Sequence, residues 1–227
     1  MRSIQWPAAA LTVGPALGAS ASVVNSVPSL LGEVGEARAD RSGWSQTAEF
    51  ASLILDSGWA WAAAAVVAGW LVSSDLRPRM GLLVGALAGC VALVAATAVY
   101  YCGELLFTGD FGWGWVTRFW LVGSVALGLP LGAVGATVRR PGPIGVFAAL
   151  VVPFGAAANM VVLPPPRESL VAGPVRLTVW FAAVTTAVFV AVRAIRARRR
   201  RDRDFGAEPV VRSSPPADAD AARQRVS

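Results

Sequence analysis

The sequence predicts an all-α polytopic membrane bundle of six transmembrane helices, followed by a disordered cytoplasmic C-terminal tail. Three observations predict it. The chain is 55% hydrophobic with a mean hydropathy of +0.56, above the roughly 45–50% apolar content of soluble domains. The excess falls into blocks of roughly 20 residues, the length that crosses a hydrocarbon core about 30 Å thick. Arginine is concentrated in alternate connections between the blocks, as expected of cytoplasmic loops. Helices are the expected form because backbone in lipid must satisfy its own hydrogen bonds.

The transmembrane domain is read as residues 1–195, with spans at about 7–24, 53–73, 80–101, 116–138, 143–163 and 173–192. The first contains Pro15 and several serines. It has a rival reading, because Met1-Arg2, an apolar stretch and Ala19-Ser20-Ala21 resemble a cleavable signal peptide. A single n-region charge and no large soluble domain to export favour a retained span. Residues 25–49 read as an external loop carrying Glu33, Glu36, Asp40 and Glu49 against Arg38 and Arg41, with residues 44–55 as a short interfacial helix leading into the second span. Residues 196–227 are basic at the start, rich in Pro, Ala, Asp and Arg at the end, and lack apolar periodicity, which predicts disorder.

Orientation follows from arginine. With the N-terminus inside, 15 of the 20 arginines fall on the cytoplasmic side: Arg2, Arg77, Arg79, Arg139, Arg140 and the ten from Arg193 onward. Both termini are then cytoplasmic. Trp59, Trp61, Trp113 and Trp115 fall at outer span ends, where amphipathic rings favour the headgroup region. Arginine as the sole basic residue, with abundant Ala, Gly and Val, reflects a GC-rich bacterial genome. The expected location is therefore a bacterial cell membrane.

Catalytic chemistry is thin. There is no histidine, hence no common general base or imidazole metal ligand. No phosphate-cradling loop, nucleophile elbow or metal-ligand spacing occurs. No enzyme, cofactor or metal is expected. Cys90 and Cys102 on one helix would stand about 18 Å apart along its axis, far beyond the roughly 7 Å a disulfide tolerates. The chain's net charge is +6, and its densest basic run, in the tail, comes without a folded nucleic-acid module, so nucleic acid is not an expected partner. The expected partner is the lipid bilayer, with a second copy or another membrane protein as further candidates. The Arg198–Arg201 run serves as a positive-inside signal, and anionic headgroups are its secondary candidate ligand.

Three sets of residues are candidates for packing or function. Gly81, Gly85 and Gly89 in the third span, and Gly128, Gly132 and Gly135 in the fourth, recur at helix-packing spacing, as do Ala10, Gly14, Gly18 and Ser22 in the first. Such spacing lets backbones approach closely, within one bundle or toward a partner. Asn159 is the deepest polar residue, with Ser124 and the Thr185/Thr186 pair as milder cases; a lone asparagine suits a helix–helix hydrogen bond. Asp56, Tyr100, Tyr101, Glu104, Arg118 and Arg176, with Asp110 nearby, cluster at the predicted outer face. They would converge on one pocket if arginines paired carboxylates; plain interfacial anchoring is the alternative.

The stretch SGWAWAAAAVVAGWLVSSDLRPRMGLLVGALAGCVALVAATAVYY is similar to a family of small actinobacterial integral membrane proteins of unknown function. Those chains also pair a Trp-bearing outer end with a short arginine turn, a Gly-rich third helix and a Tyr-Tyr near its outer end. The resemblance covers about residues 11–192 and implies no biochemical role. The residues themselves lead to two expectations: a small-solute binding or transport subunit, or a structural or regulatory partner acting through small-residue faces or the basic tail.

Overall fold

The computed structural model describes residues 5–74, 76–109 and 114–206. Among them are seven α-helices and no strand: α1 (Gln5–Leu30), α2 (Gly43–Leu55), α3 (Gly58–Val72), α4 (Pro78–Thr108), α5 (Trp115–Val138), α6 (Pro143–Val162) and α7 (Ala172–Gly206). Five are long and apolar enough to cross a membrane, and α2 with α3 supplies a sixth if the bent pair counts as one span. The chain divides into two compact units, Met1–Ala191 and Val192–Ser227. The first contains the packed bundle.

The sequence sets most helix ends locally. Pro78 and Pro143 open α4 and α6 at positions whose N–H would be unpaired anyway. Gly109 closes α4 with φ 73°, the left-handed conformation of a helix C-cap. Ser42 caps α2, its Oγ accepting from the Ser45 N–H at 3.3 Å. Glu33 lies beside this cap, and its Oε2 accepts from the Ser42 N–H at 3.3 Å. The Ser45 and Ser42 hydroxyls, with that N–H, hold the Glu33 carboxyl below the usual carboxylate range. A depressed carboxylate favours the folded loop above its unfolded-state pKa, and this contribution fades as pH falls through the folded value. The protection factors of the Ser42 and Ser45 amides, which are exchange rates relative to the intrinsic rate at each pH, should therefore fall on acidification into that range, and Glu33→Gln should remove that fall.

Small residues bring the helices together. Helix α4 packs on α5, α1 and α3. A Cβ at Gly89 would lie 2.5 Å from the Gly128 carbonyl oxygen and 2.6 Å from the Gly132 Cα. One at Gly135 would fall on the Val66 carbonyl of α3, and one at Gly69 on the Gly132 carbonyl of α5. On α1, Gly14 and Gly18 abut the carbonyls of Ala92 and Ala96, while Ser22 meets Gly103. The six candidate glycines of α4 and α5 thus lie within the chain's own bundle, with Gly81 making only ordinary contact with Ser73 and Leu76. Association in lipid depends on such packing, since lipid is as apolar as leucine. The order of these contacts, Gly14 on Ala92, Gly18 on Ala96 and Ser22 on Gly103, makes α1 run parallel to α4.

The outward surfaces are apolar. Leu83 and Leu87 on α4, Val122 on α5, Phe147 and Phe154 on α6, and Phe181 and Phe189 on α7 are all exposed. A belt of this kind suits lipid and is foreign to a water-facing surface. At one end of the bundle the two basic turns meet. Arg139 Nε donates to the Trp70 carbonyl at 3.0 Å, with the guanidinium 4.4 Å above the Trp70 ring, and Arg140 Nη2 donates to the Pro78 carbonyl at 3.2 Å.

Several boundaries differ from the sequence reading, for physical reasons. The first helix runs on to Leu30, so the loop expected over 25–49 shrinks to 31–42. The extension is possible because Asn25 finds partners inside the bundle and the Ser26 hydroxyl bonds back to the Ser22 carbonyl at 2.8 Å. Helix α4 overruns its expected end at 101 by two turns, to Thr108. Residues 196–206, expected to be disordered, continue α7 as helix; arginine and alanine are strong helix formers. The rest of the tail, 207–227, lies outside the described residues, as do Asp110 and Trp113.

Candidate functional site

The expected second span, 53–73, is broken. Helices α2 and α3 meet at a 57° bend at Asp56-Ser57. The residues there explain it. Ser57 turns its hydroxyl back onto the Ile54 carbonyl at 2.5 Å, while its own carbonyl accepts from the Ala60 N–H at 2.9 Å and so starts α3. With 15 residues, α3 is about 22 Å long, short of the roughly 30 Å core. Its N-terminal end therefore stops below the end of α4, and Asp56 sits beside α1 and α4.

Asn25 is the hub of a polar network at this break. Its Nδ2 donates to Asp56 Oδ2 at 2.6 Å and to the Tyr100 hydroxyl at 2.9 Å, and its Oδ1 accepts from Ser52 Oγ at 2.5 Å. Ser52 Oγ also lies 3.2 Å from Asp56 Oδ2. Four polar groups from α1, α2, the break and α4 are thereby joined. Among the described residues, both bonds to the carboxylate fall on Oδ2, and no arginine pairs with it. Trp61 stands edge-on to Tyr100 at 6.4 Å, and Tyr100 edge-on to Tyr101 at 5.3 Å.

Beside this node is a cavity of about 350 Å³ between α3, α4 and α5, within the range of small-ligand sites. Its geometry follows from the glycine contacts. Helices α3 and α5 touch through Gly69, Gly132 and Gly135 at the arginine end, and α4 underlies both. Toward the Asp56 end α3 and α5 stand apart. Gly58 and Gly123 border the opening, and a Cβ on either would meet nothing within 4 Å. Asp56, Trp61, Tyr100, Tyr101 and Trp120 line the cavity, with Leu93, Leu127 and Leu131 as its apolar part. Between these lies one hydroxyl pair, Thr97 and Ser124, buried and bonded to each other at 2.7 Å.

The structure therefore brings together four of the six residues expected at the outer face. Asp56, Tyr100 and Tyr101 line the cavity, and Glu104 lies next to the Tyr100 hydroxyl. Arg118 and Arg176 do not join them; both are exposed and pair with no carboxylate among the described residues. Helix geometry gives the reason. On α5 the inward face runs through Thr117, Trp120 and Ser124, so Arg118 points about 100° away. On α7 Val175 and Val179 are buried, and Arg176 is likewise turned out.

Asn159 belongs elsewhere. It lies on α6 beside Ala156 and Met160, which form an apolar cluster with Val175, Val179 and Trp59. Its Oδ1 and the Trp59 Nε1 are buried without hydrogen-bond partners among the described residues. The helix–helix bond expected of Asn159 is therefore not made by its carbonyl oxygen. Thr185 and Thr186 are exposed on α7.

The residue that sequence reasoning missed is Asn25. Its signal was an amide flanked by Val23, Val24 and Val27, assigned to a loop because it followed the first apolar block. Comparison with known proteins finds no matching family model, no matching curated protein and no matching solved structure.

Proposed function

We propose that this chain is an integral protein of a bacterial cell membrane that binds a small solute, alone or as a subunit of a transporter. The observation that carries the reading is the cavity between α3, α4 and α5, walled by aromatic rings and reached by one fixed carboxylate. Pockets that are mostly apolar with a few convergent polar groups are the usual form of small-molecule sites. Asp56, Tyr101 and the neighbouring Glu104 act as ligand-recognising groups. Deeper in the cavity the Thr97 and Ser124 hydroxyls are bonded to each other. The topology proposed from arginine placement, with both termini cytoplasmic, puts the cavity toward the outer face and the Arg139 turn inside. The kinship with small actinobacterial membrane proteins is part of the same proposal and adds no role to it.

Action through small-residue faces on a second copy or another membrane protein is less well supported, because Gly85, Gly89, Gly128, Gly132 and Gly135 are used inside the bundle.

A thermal-shift screen of the purified chain against small solutes tests the binding reading. Saturation at 100 times Kd should stabilise the protein by about 2.7 kcal/mol. Gly123→Trp, which places a ring in the open space, should abolish the shift, and Tyr101→Ala or Glu104→Ala should weaken it. Solutes that stabilise wild type and Gly123→Trp equally, or a broad panel with no shift, would sink the proposal.

A further inference from the structure

The geometry points to an organic ammonium ion with an apolar body as the ligand class of this cavity, an inference that rests on the small-solute binding reading. Charge comes first. Asp56 is among the residues that line the cavity, and its two side-chain hydrogen-bond donors, Asn25 and Ser52, both address Oδ2. Among the described residues Oδ1 accepts nothing, which leaves it for a ligand. Those donors orient the carboxylate without neutralising it, since both are uncharged. Glu104 adds a second carboxylate near Tyr100 and Tyr101. Among the described residues no arginine lines the cavity, and Arg118, the nearest in sequence to its α5 wall, is turned outward. An anion would find no positive partner there.

The walls favour the same class. Trp61, Tyr100, Tyr101 and Trp120 all line the cavity, and Trp61 and Tyr101 both stand against Tyr100, which shares Asn25 with Asp56. Aromatic faces attract cations through the ring quadrupole, most strongly where water is excluded, and this is the recurrent way proteins hold quaternary ammonium groups. Further in, Leu93, Leu127 and Leu131 offer no hydrogen bonds, and the Thr97 and Ser124 hydroxyls are engaged with each other. That part accepts hydrocarbon. The cavity, about 350 Å³, has room for about a dozen water-sized groups. An ammonium head with an aryl or short alkyl body fits this volume; a two-chain lipid does not.

The test uses the full chain in nanodiscs of zwitterionic lipid and three probes of one shape. These are benzyltrimethylammonium, its uncharged carbon isostere neopentylbenzene, and the anion phenylmethanesulfonate. The cation should bind saturably and at least about tenfold more tightly than the neutral isostere, and the anion should not bind. Asp56→Asn should bring the cation to the affinity of the isostere while leaving the isostere unchanged. Trp120→Leu leaves the Asn25 node intact and should also reduce the preference for the cation. Gly123→Trp should abolish binding of cation and isostere alike, and Arg176→Ala should affect neither.

If the isostere or the anion binds as tightly as the cation, or if the preference survives both Asp56→Asn and Trp120→Leu, the ammonium inference is overturned. Sensitivity of that binding to Gly123→Trp would then still uphold the cavity as a site. Absence of saturable cation binding to wild type overturns the inference outright, whatever the wider solute panel shows.

Discussion

Gly132→Leu is expected to destabilise the bundle by about 3 kcal/mol or more, at the upper end of what overpacking usually costs. Gly132 lies where three helices meet. A Cβ there would fall on the Gly85 carbonyl oxygen and within 2.9 Å of the Gly89 Cα, while the Gly132 carbonyl faces Gly69 of α3. These neighbours are backbone, so no rotamer change relieves the clash. Whole helices must separate, and the close approach that holds them in lipid is lost. Gly123→Leu, on the same helix but facing open space, should stay within about 1 kcal/mol of wild type. Thermal or denaturant unfolding of both variants in the same detergent checks the pair. Equal stability of the two would mean that the α3–α4–α5 contact is not where the glycines place it.

The second large effect is expected at Asn25. Asn25→Ala removes a donor from Asp56 and from Tyr100 and an acceptor from Ser52 in one step. Leaving such groups unsatisfied costs roughly 1–3 kcal/mol each, less where water replaces the partner. A total of about 2–4 kcal/mol follows from those values. Ser52→Ala removes only one edge of the network and should cost about 1 kcal/mol. A double-mutant cycle between Asn25→Ala and Asp56→Ala should show coupling of about 0.5 kcal/mol or more. Additive behaviour would show that Asn25 does not hold the carboxylate. Asn25→Asp should be worse than alanine at neutral pH, because it puts a second acceptor and a second negative charge against Asp56.

Much of this fold was legible from composition and spacing. The start and end of α5 and α6 fell within a residue of the hydrophobic blocks, because Trp115, Arg139, Pro143 and Leu163 punctuate them locally. The glycine spacing announced close packing, and the structure names the partners. What could not be read is any boundary set by a distant residue. An average over some twenty residues absorbs a single Asn or Asp, so α1 seemed to end at Asn25 and the second span to run through Asp56. Asn25 stays helical because Ser52, Asp56 and Tyr100 satisfy it from 27, 31 and 75 residues away. The triplet Asp56-Ser57-Gly58 did carry a local signal, a capping serine followed by a helix breaker. For the site, residue type pointed to one end of the bundle, but side-chain direction decided membership. Thr117 and Arg118 are neighbours in sequence, and only the first faces the bundle.

The parallel packing of α1 on α4 has a consequence for how the chain must be made. Helix α1, which leaves the ribosome before α4, has Gly14 and Gly18 shaped for Ala92 and Ala96, which are synthesised some 78 residues later. Until α4 is in the bilayer, α1 has no mate for its glycine face, and Asn25 has no Tyr100 to bond. Insertion and assembly are therefore separate stages, with independent helices placed first and packed afterwards. Between them lies an interval in which Asn25 can reach Ser52 and Asp56 but lacks the Tyr100 hydroxyl, and the glycine face of α1 is unpacked. Nascent chains halted before α4 should be the forms most readily taken by membrane quality control.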